Sequence, residues 1–311
     1  MPREAEFTIP KDGEIFISMI LQRCEHLIGS GIWHGISSNR LDTWFNNFKT
    51  NDERYFAACL LDALIYRSEE QTVALMKHLF QKVLPDFGRA HAAKWSLPDD
   101  WMGAFRATAL SRDPRIRIVP VIRWRDPPTK SGPLLARLYR RHLGFNDAWM
   151  IWPWQIDHCK GRGVSAFLFI DDFMGTGEQF LKFAKQFAIM QRLNGVFAAY
   201  APLVAHEDGV KAVESEMPDV HTCAVEVLNS KYDLFADNSV WFRDVGETNS
   251  PQSARSFYER LIRSRSLPIP PKYSTGHGKL AIAYAFRHAT PNNCLPVFWI
   301  RNSNWKSLLE R

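Results

Sequence analysis

Asp171 and Asp172 stand side by side between an apolar run, Phe167–Ile170, and a small-residue turn, Gly175-Thr176-Gly177. Apolar strands that end in paired carboxylates put two negative charges at the carboxyl edge of a sheet, where open α/β folds bind ligands. The backbone N–H groups of the turn, and of a helix beginning at Glu178, would lie beside them and favour an anion. The stretch Phe167–Gln179 therefore offers hydroxyl or metal chemistry and phosphate chemistry together. The plain alternative is that the two carboxylates cap the helix and solvate a strand end.

A second constellation lies about forty residues earlier, at Lys130-Ser131-Gly132, between a predicted strand and a predicted helix. Gly132 would permit close backbone approach to a diphosphate, and Lys130 would add a point charge. As a tripeptide it reads equally as a surface turn. Arg137, Arg140 and Arg141 follow at helical spacing on one face, which suits solvent or nucleic acid.

Two rival chemistries lack their partners. The Mg²⁺-side strand of a P-loop nucleoside triphosphatase needs a GxxxxGK[ST] loop, and the nearest attempt, Tyr273–Leu280, lacks its first glycine and its closing hydroxyl. An aspartyl phosphatase needs an aspartate two residues after the nucleophile, where this chain has Phe173. His158 beside Cys159, and His206 near Asp208, are single pairs of the kind that serve packing or the surface. Five scattered cysteines without a CxxC pair point to reduced thiols in a cytoplasmic protein. The polar N-terminus reads as no signal peptide, and no apolar run approaches the ~20 residues of a membrane span.

The elements that must position these residues follow from pattern. From Glu14 to Leu110 apolar residues recur at three- and four-residue spacing, so that stretch reads as helices only, with Ser68 a start and Pro85 a stop. From Ile116 the chain alternates strand-like and helix-like segments. Strands are expected at Ile116–Ile122, Trp149–Trp154, Val164–Ile170, Val196–Ala205, Val220–Leu228 and Leu280–Phe286. Helices are expected at Leu134–His142, after Glu178, at Glu207–Met217 and at Pro251–Ser264. Alternation of this kind predicts an α/β fold, a parallel sheet flanked by helices. The expected division is a helical domain over residues 1–112 and an α/β domain over 113–311. Charge divides likewise: of the net +6, residues 113–163 alone carry ten Lys/Arg against four Asp/Glu. A localised basic excess favours diphosphates, nucleotides or nucleic acid.

Phe167–Gln179 resembles the thirteen-residue PRPP (phosphoribosyl pyrophosphate) motif of type I phosphoribosyltransferases. Thr176 and Gly177 keep that motif's places. Glu178 departs from it, either repelling a phosphate by ~1–4 kcal/mol depending on local dielectric or pointing outward as a first-turn acid. Lys130-Ser131-Gly132 sits where that family carries its pyrophosphate loop. Thr290, Pro291, Asn292, Asn293, Leu295, Pro296 and Trp299 resemble the ending of a divergent phosphoribosyltransferase-like family of prokaryotic conflict and antiphage systems. That family also has the Ile-Asp-Asp-Phe run and a helical N-terminal extension, and some members accompany retron reverse transcriptases. Asn292 and Asn293 could bind ligand or tie off a buried turn.

The resemblance implies a type I phosphoribosyltransferase-like fold preceded by an all-α domain, and a toxic effector that binds a ribose-phosphate ligand, PRPP or a nucleotide. Asp171 and Asp172 would face the ribose hydroxyls and stabilise charge developing at C1′. Gly175, Thr176, Gly177, Glu178 and Gln179 would meet the 5′-phosphate, and Lys130, Ser131 and Gly132 the diphosphate. Mg²⁺ would be held mainly by ligand and water, with Asp171 and Asp172 acting indirectly. Partners would be a reverse transcriptase, its nucleic acid, or another defence protein. The competing reading is a non-catalytic sensor or scaffold that docks on nucleic acid or a reverse transcriptase complex. A third is a structural antitoxin in which an aromatic patch, Trp149, Trp152 and Trp154, binds a partner protein.

Overall fold

Near-continuous apolar runs bounded by turn residues form strands buried on both faces, and four such runs dominate this chain. The computed structural model describes residues 6–91, 101–107, 113–242 and 249–311. Its strands are β1 (Ile65–Arg67), β2 (Ile116–Pro120), β3 (Ala166–Met174), β4 (Phe197–His206), β5 (Val220–Thr222), β6 (Glu226–Leu228) and β7 (Tyr284–Phe286). The chain divides into two compact units, Val73–Leu228, and Met1–Thr72 with Asn229–Arg311.

Residues Val73–Leu228 hold a parallel sheet in the order β2-β3-β4-β5, with β6 also paired to β4. Every residue of β2 and β4 is buried. Helices Glu178–Gln186 and Glu207–Glu216 make the crossovers after β3 and β4. Phe180, Phe183 and Ala184, at helical spacing, meet Phe167, Phe169 and Tyr200 of the sheet in one apolar core. The α/β expectation is met in this unit. Val220–Leu228 is two short strands on one edge of β4, interrupted where Cys223 bonds Tyr200 and Val225 bonds Leu203.

Strand lengths fix the position of the acidic pair. Pro120 ends β2 opposite Ile170, as proline cannot donate to the ladder. β3 runs on through Met174 with β4 still beside it. Asp171 is thus the first residue of β3 past the end of β2. Both carboxylates belong to the strand itself, not to a loop after it.

Several expected elements differ in the structure. Trp149–Trp154 is no strand: two 3₁₀ turns, Asp147–Trp149 and Pro153–Gln155, flank a single bridge from Met150 to Ile118. Pro153 lacks the N–H a strand would need. The helix at Leu134–His142 starts earlier, at Ser131, and passes at Tyr139 into a π turn. Pro85 does not stop its helix. It sits within a continuous helical run, directly after a π turn at Leu79–Val83, where the i→i−4 ladder is already interrupted.

In Met1–Thr72 with Asn229–Arg311, helices Gly13–Gly29, Ser38–Phe45, Asn51–Ala63 and Pro251–Ser264 accompany β1, which pairs in parallel with β7. Ser68 caps its helix as expected, exchanging bonds with Gln71. The stretch 1–112 is therefore not all helical. The expected boundary at 112 falls within residues 108–112, outside the described residues. The compact units divide instead after Thr72 and after Leu228, because a strand from the first part of the chain takes its partner from the last.

Candidate functional site

Asp171 is 1% exposed and its carboxylate is engaged almost entirely by side chains. Oδ1 accepts from Ser131 Oγ at 2.9 Å and from the Asp172 main-chain N–H at 3.0 Å. Oδ2 accepts from Gln179 Nε2 at 2.9 Å and, more distantly, from the Tyr200 hydroxyl at 3.4 Å. Lys130 Nζ donates to Gln179 Oε1 at 3.1 Å. The two constellations, forty residues apart in sequence, thus converge at the end of β2. Helices Ser131–Leu138 and Glu178–Gln186 both begin here, and their positive ends share the edge.

Burial, and then the neighbouring Asp172 carboxylate, push Asp171 well above the usual carboxylate range, against the Ser131 hydroxyl bond that favours ionisation. Two carboxyl groups this close do not both ionise readily, and they titrate as a pair. Tyr200 is pushed up by burial and by the charges of Asp171 and Asp172. It lies flat on Phe180, ring centroids 3.9 Å apart. The edge therefore holds a proton at a pH where an exposed aspartate has lost its own.

The glycine turn is shaped by packing. Gly177 has φ +75°, a conformation costly for other residues. A Cβ there would come within 2.9 Å of the Gly209 carbonyl oxygen. A Cβ on Gly209 would in turn run into the Gly175 carbonyl, so turn and helix touch backbone to backbone. Gly132 is equally confined, with a Cβ there 2.9 Å from the Val121 carbonyl oxygen. Glu178 pairs with Lys182 one turn along its own helix and is partly exposed.

Other predicted residues lie elsewhere. Arg137, Arg140 and Arg141 are exposed, towards the far end of their helix from Ser131, and Arg140 pairs with Asp147 at 3.3 Å. Trp149 is buried against Arg117 and parts from Trp152 and Trp154, which are exposed. His206 is a buried helix cap, its Nδ1 accepting from the Asp208 N–H. In the other unit Asn293 Nδ2 donates to the His277 carbonyl at 2.8 Å, and the His277 N–H donates to the Asn292 carbonyl at 2.8 Å. Those residues tie off a buried turn.

Two neighbours were not legible in the sequence. Tyr200 reaches Asp171 only because β4 registers Tyr200 opposite Phe169. Arg123, just past β2, is clamped on Asp126 by both guanidinium and main chain and feels the charge of Glu178. Its one signal is the basic excess of residues 113–163.

Among the described residues no three His, Cys, Asp or Glu side chains gather to hold a metal. Two carboxylates, one of them reluctant to ionise, do not form a protein cage for Mg²⁺. They fit an ion that brings most of its oxygen ligands as water and bound phosphate, as Mg²⁺ prefers. All five cysteines are free, and burial pushes Cys24, Cys223 and Cys294 up to about 12. Those three are thiols, not thiolates, at neutral pH. Among the described residues no helix is long and apolar enough to cross a membrane.

The family model described as PRTase-CE matches residues 41–311. No curated protein matches the chain. Among solved structures, an orotate phosphoribosyltransferase from Aeropyrum pernix is similar at 17% identity, covering 48% of this chain and 76% of its own, with a TM-score of 0.24. A superposition that loose carries no argument about residues.

Proposed function

The chain belongs to the PRTase-CE family, and we propose that it is a phosphoribosyltransferase-like effector of a prokaryotic antiphage system of retron type. It binds a ribose-phosphate ligand, PRPP or a nucleotide, at the edge where Asp171 and Asp172 meet Lys130 and Ser131. The observation that carries this reading is the closed chain of contacts Lys130–Gln179–Asp171–Ser131. It joins the two stretches that resemble the PRPP and pyrophosphate loops.

Ribose hydroxyls can replace Ser131 and Gln179 as donors to Asp171, which releases Lys130 to a phosphate. The bond from C1′ to its leaving group breaks with the electron pair departing on that group. A nucleophile then bonds to C1′. The negative charge that the Asp171–Asp172 pair carries stabilises the positive charge that develops in between, a contribution from fixed electrostatics. Mg²⁺, bound with the phosphates, would neutralise their charge. The defence setting and a reverse transcriptase or other defence-system partner rest on the C-terminal resemblance around Asn292 and Asn293.

Thermal melts with PRPP, ribose 5-phosphate or nucleotides, each with Mg²⁺, test the binding. A ligand at 100 times its Kd stabilises by about 2.7 kcal/mol. The Asp171→Asn, Asp172→Asn double variant should lose that stabilisation and, in a growth assay, its toxicity. If none of these ligands moves the melt of the folded protein, the reading falls.

One observation favours a second reading. The acceptor atoms of Asp171 are already filled by the protein's own donors, as in a structural network. Here the sheet is a non-catalytic scaffold that docks on nucleic acid or a reverse transcriptase complex, and binding would weaken steeply with salt.

A further inference from the structure

Three indoles stack in the open. Trp152 and Trp154 are parallel within 8° at 5.2 Å between centroids, and Trp154 and Trp124 within 16° at 5.1 Å. Trp124 rests in turn on Phe187, at 5.1 Å. Trp124, Trp152 and Trp154 are 62%, 41% and 46% exposed, and they are the three exposed tryptophans among the described residues. Isolated exposed aromatics need no explanation, but a contiguous set of them marks an interaction site. The sequence groups Trp152 and Trp154 with Trp149; the fold buries Trp149 and adds Trp124 from beyond β2.

We propose that the Trp124–Trp154–Trp152 ladder, with Arg125 beside it, is a stacking platform for the bases of a single-stranded nucleic acid. Parallel rings at regular spacing are extended most naturally by further flat rings, and unpaired bases stack on aromatic side chains whatever their sequence. The surroundings are cationic and polar. Arg125 is exposed and makes no ion pair among the described residues. Arg192 lies 3.4 Å from the Pro153 carbonyl, inside the Trp152–Trp154 segment. Gln186, with its amide turned to satisfy both donors, accepts from the Trp124 main-chain and indole N–H groups and fixes that ring. Arg125 belongs to the stretch with ten basic and four acidic residues, and Asp157 of that stretch pairs with Arg192 at 3.4 Å. A partner that presents flat rings along a negative backbone fits these features better than an apolar protein helix. The proposal does not rest on turnover at Asp171.

The test is fluorescence titration of the full chain with a single-stranded oligonucleotide of about 12 nucleotides, a length within reach of one such platform. Binding should quench tryptophan emission, and the duplex of the same sequence, with its bases already stacked, should not compete. Trp152→Ala with Trp154→Ala should weaken the single strand by about tenfold or more, whereas Trp154→Phe keeps most of the affinity. Arg125→Gln should lower the slope of log affinity against log salt by about one. Unchanged melting in each variant separates lost contact from lost fold. No binding by the wild-type chain at low salt, or equal binding by the double alanine variant, overturns the proposal. So does a ladder that instead binds a proline-rich peptide and loses it on the same substitutions, since that makes it a protein-docking surface.

Discussion

The two motifs that resemble one family are held by opposite means. The carboxylate of Asp171 takes three of its four donors from side chains, Ser131, Gln179 and Tyr200. The amide of Asn293 donates to a main-chain carbonyl, and its neighbour Thr290 donates to the carbonyl of Glu310 at 2.6 Å. Side-chain donors can rotate away and be replaced by a ligand's hydroxyls. Main-chain partners cannot leave without unmaking the turn. The acidic edge is thus held mostly by side chains, and the C-terminal signature by main chain. Within the acidic run the same contrast recurs, since its glycines are pinned backbone to backbone while its carboxylate is not.

Four substitutions can break or sharpen that contrast. The largest effect should come from Gly209→Ala, whose Cβ has no room beside the Gly175 carbonyl. A loss of about 3 kcal/mol in urea unfolding is expected, at the upper end for overpacking. A near-neutral result would mean that the turn yields, and that its backbone is not pinned. Asn293→Ala comes next. It removes the donor to the half-buried His277 carbonyl and should cost about 0.5–1.5 kcal/mol, with no change in ligand-induced stabilisation at Asp171.

Asp171→Asn should raise the melting temperature by a few degrees at neutral pH. The sign follows from linkage: a carboxyl pushed up in the folded state binds more protons there than in the unfolded chain. Its stabilising contribution is complete below the ordinary aspartate range and is lost as pH rises towards the folded value. The advantage of the asparagine should therefore grow from acidic to neutral pH. A variant equally destabilised at every pH would show that the ionised carboxylate belongs to the network. The smallest effect belongs to Glu178→Gln. Its pair with Lys182 is exposed on the helix surface, so at most ~0.5 kcal/mol should be lost. A gain in affinity for inorganic phosphate would place the Glu178 charge at the anion site. Unchanged affinity would place it with the solvent, away from the ligand.

Much of the sheet was legible because its signals are local. Ile116–Ile122, Val164–Ile170 and Val196–Ala205 are mostly apolar runs, and each contains most of a strand. Pro251–Ser264 shows the start of its helix, with Pro251 in the first turn and the Ser250–Ser253 capping box at its N-terminus. The Trp149–Trp154 expectation failed because aromatic residues suit strands and exposed turns alike, and Pro153 decided between them. The region before residue 112 read as all helix because Ile65–Arg67 is too short to show a period of its own. Only its pairing with Tyr284–Phe286 makes it a strand.

Taken alone, the order of residues determined the alternation of strand and helix, the pair of acids after an apolar run, and the basic excess ahead of them. Each depends on neighbours within a few positions. The fold in three dimensions decided that Lys130 and Ser131 reach Asp171, that Tyr200 lies beneath it, and that Trp124 joins Trp152 and Trp154. It also decided that burial and Asp172 push the Asp171 carboxyl above the usual carboxylate range. Register between strands and the loss of water around a side chain are properties of distant segments brought together, and no local pattern encodes them.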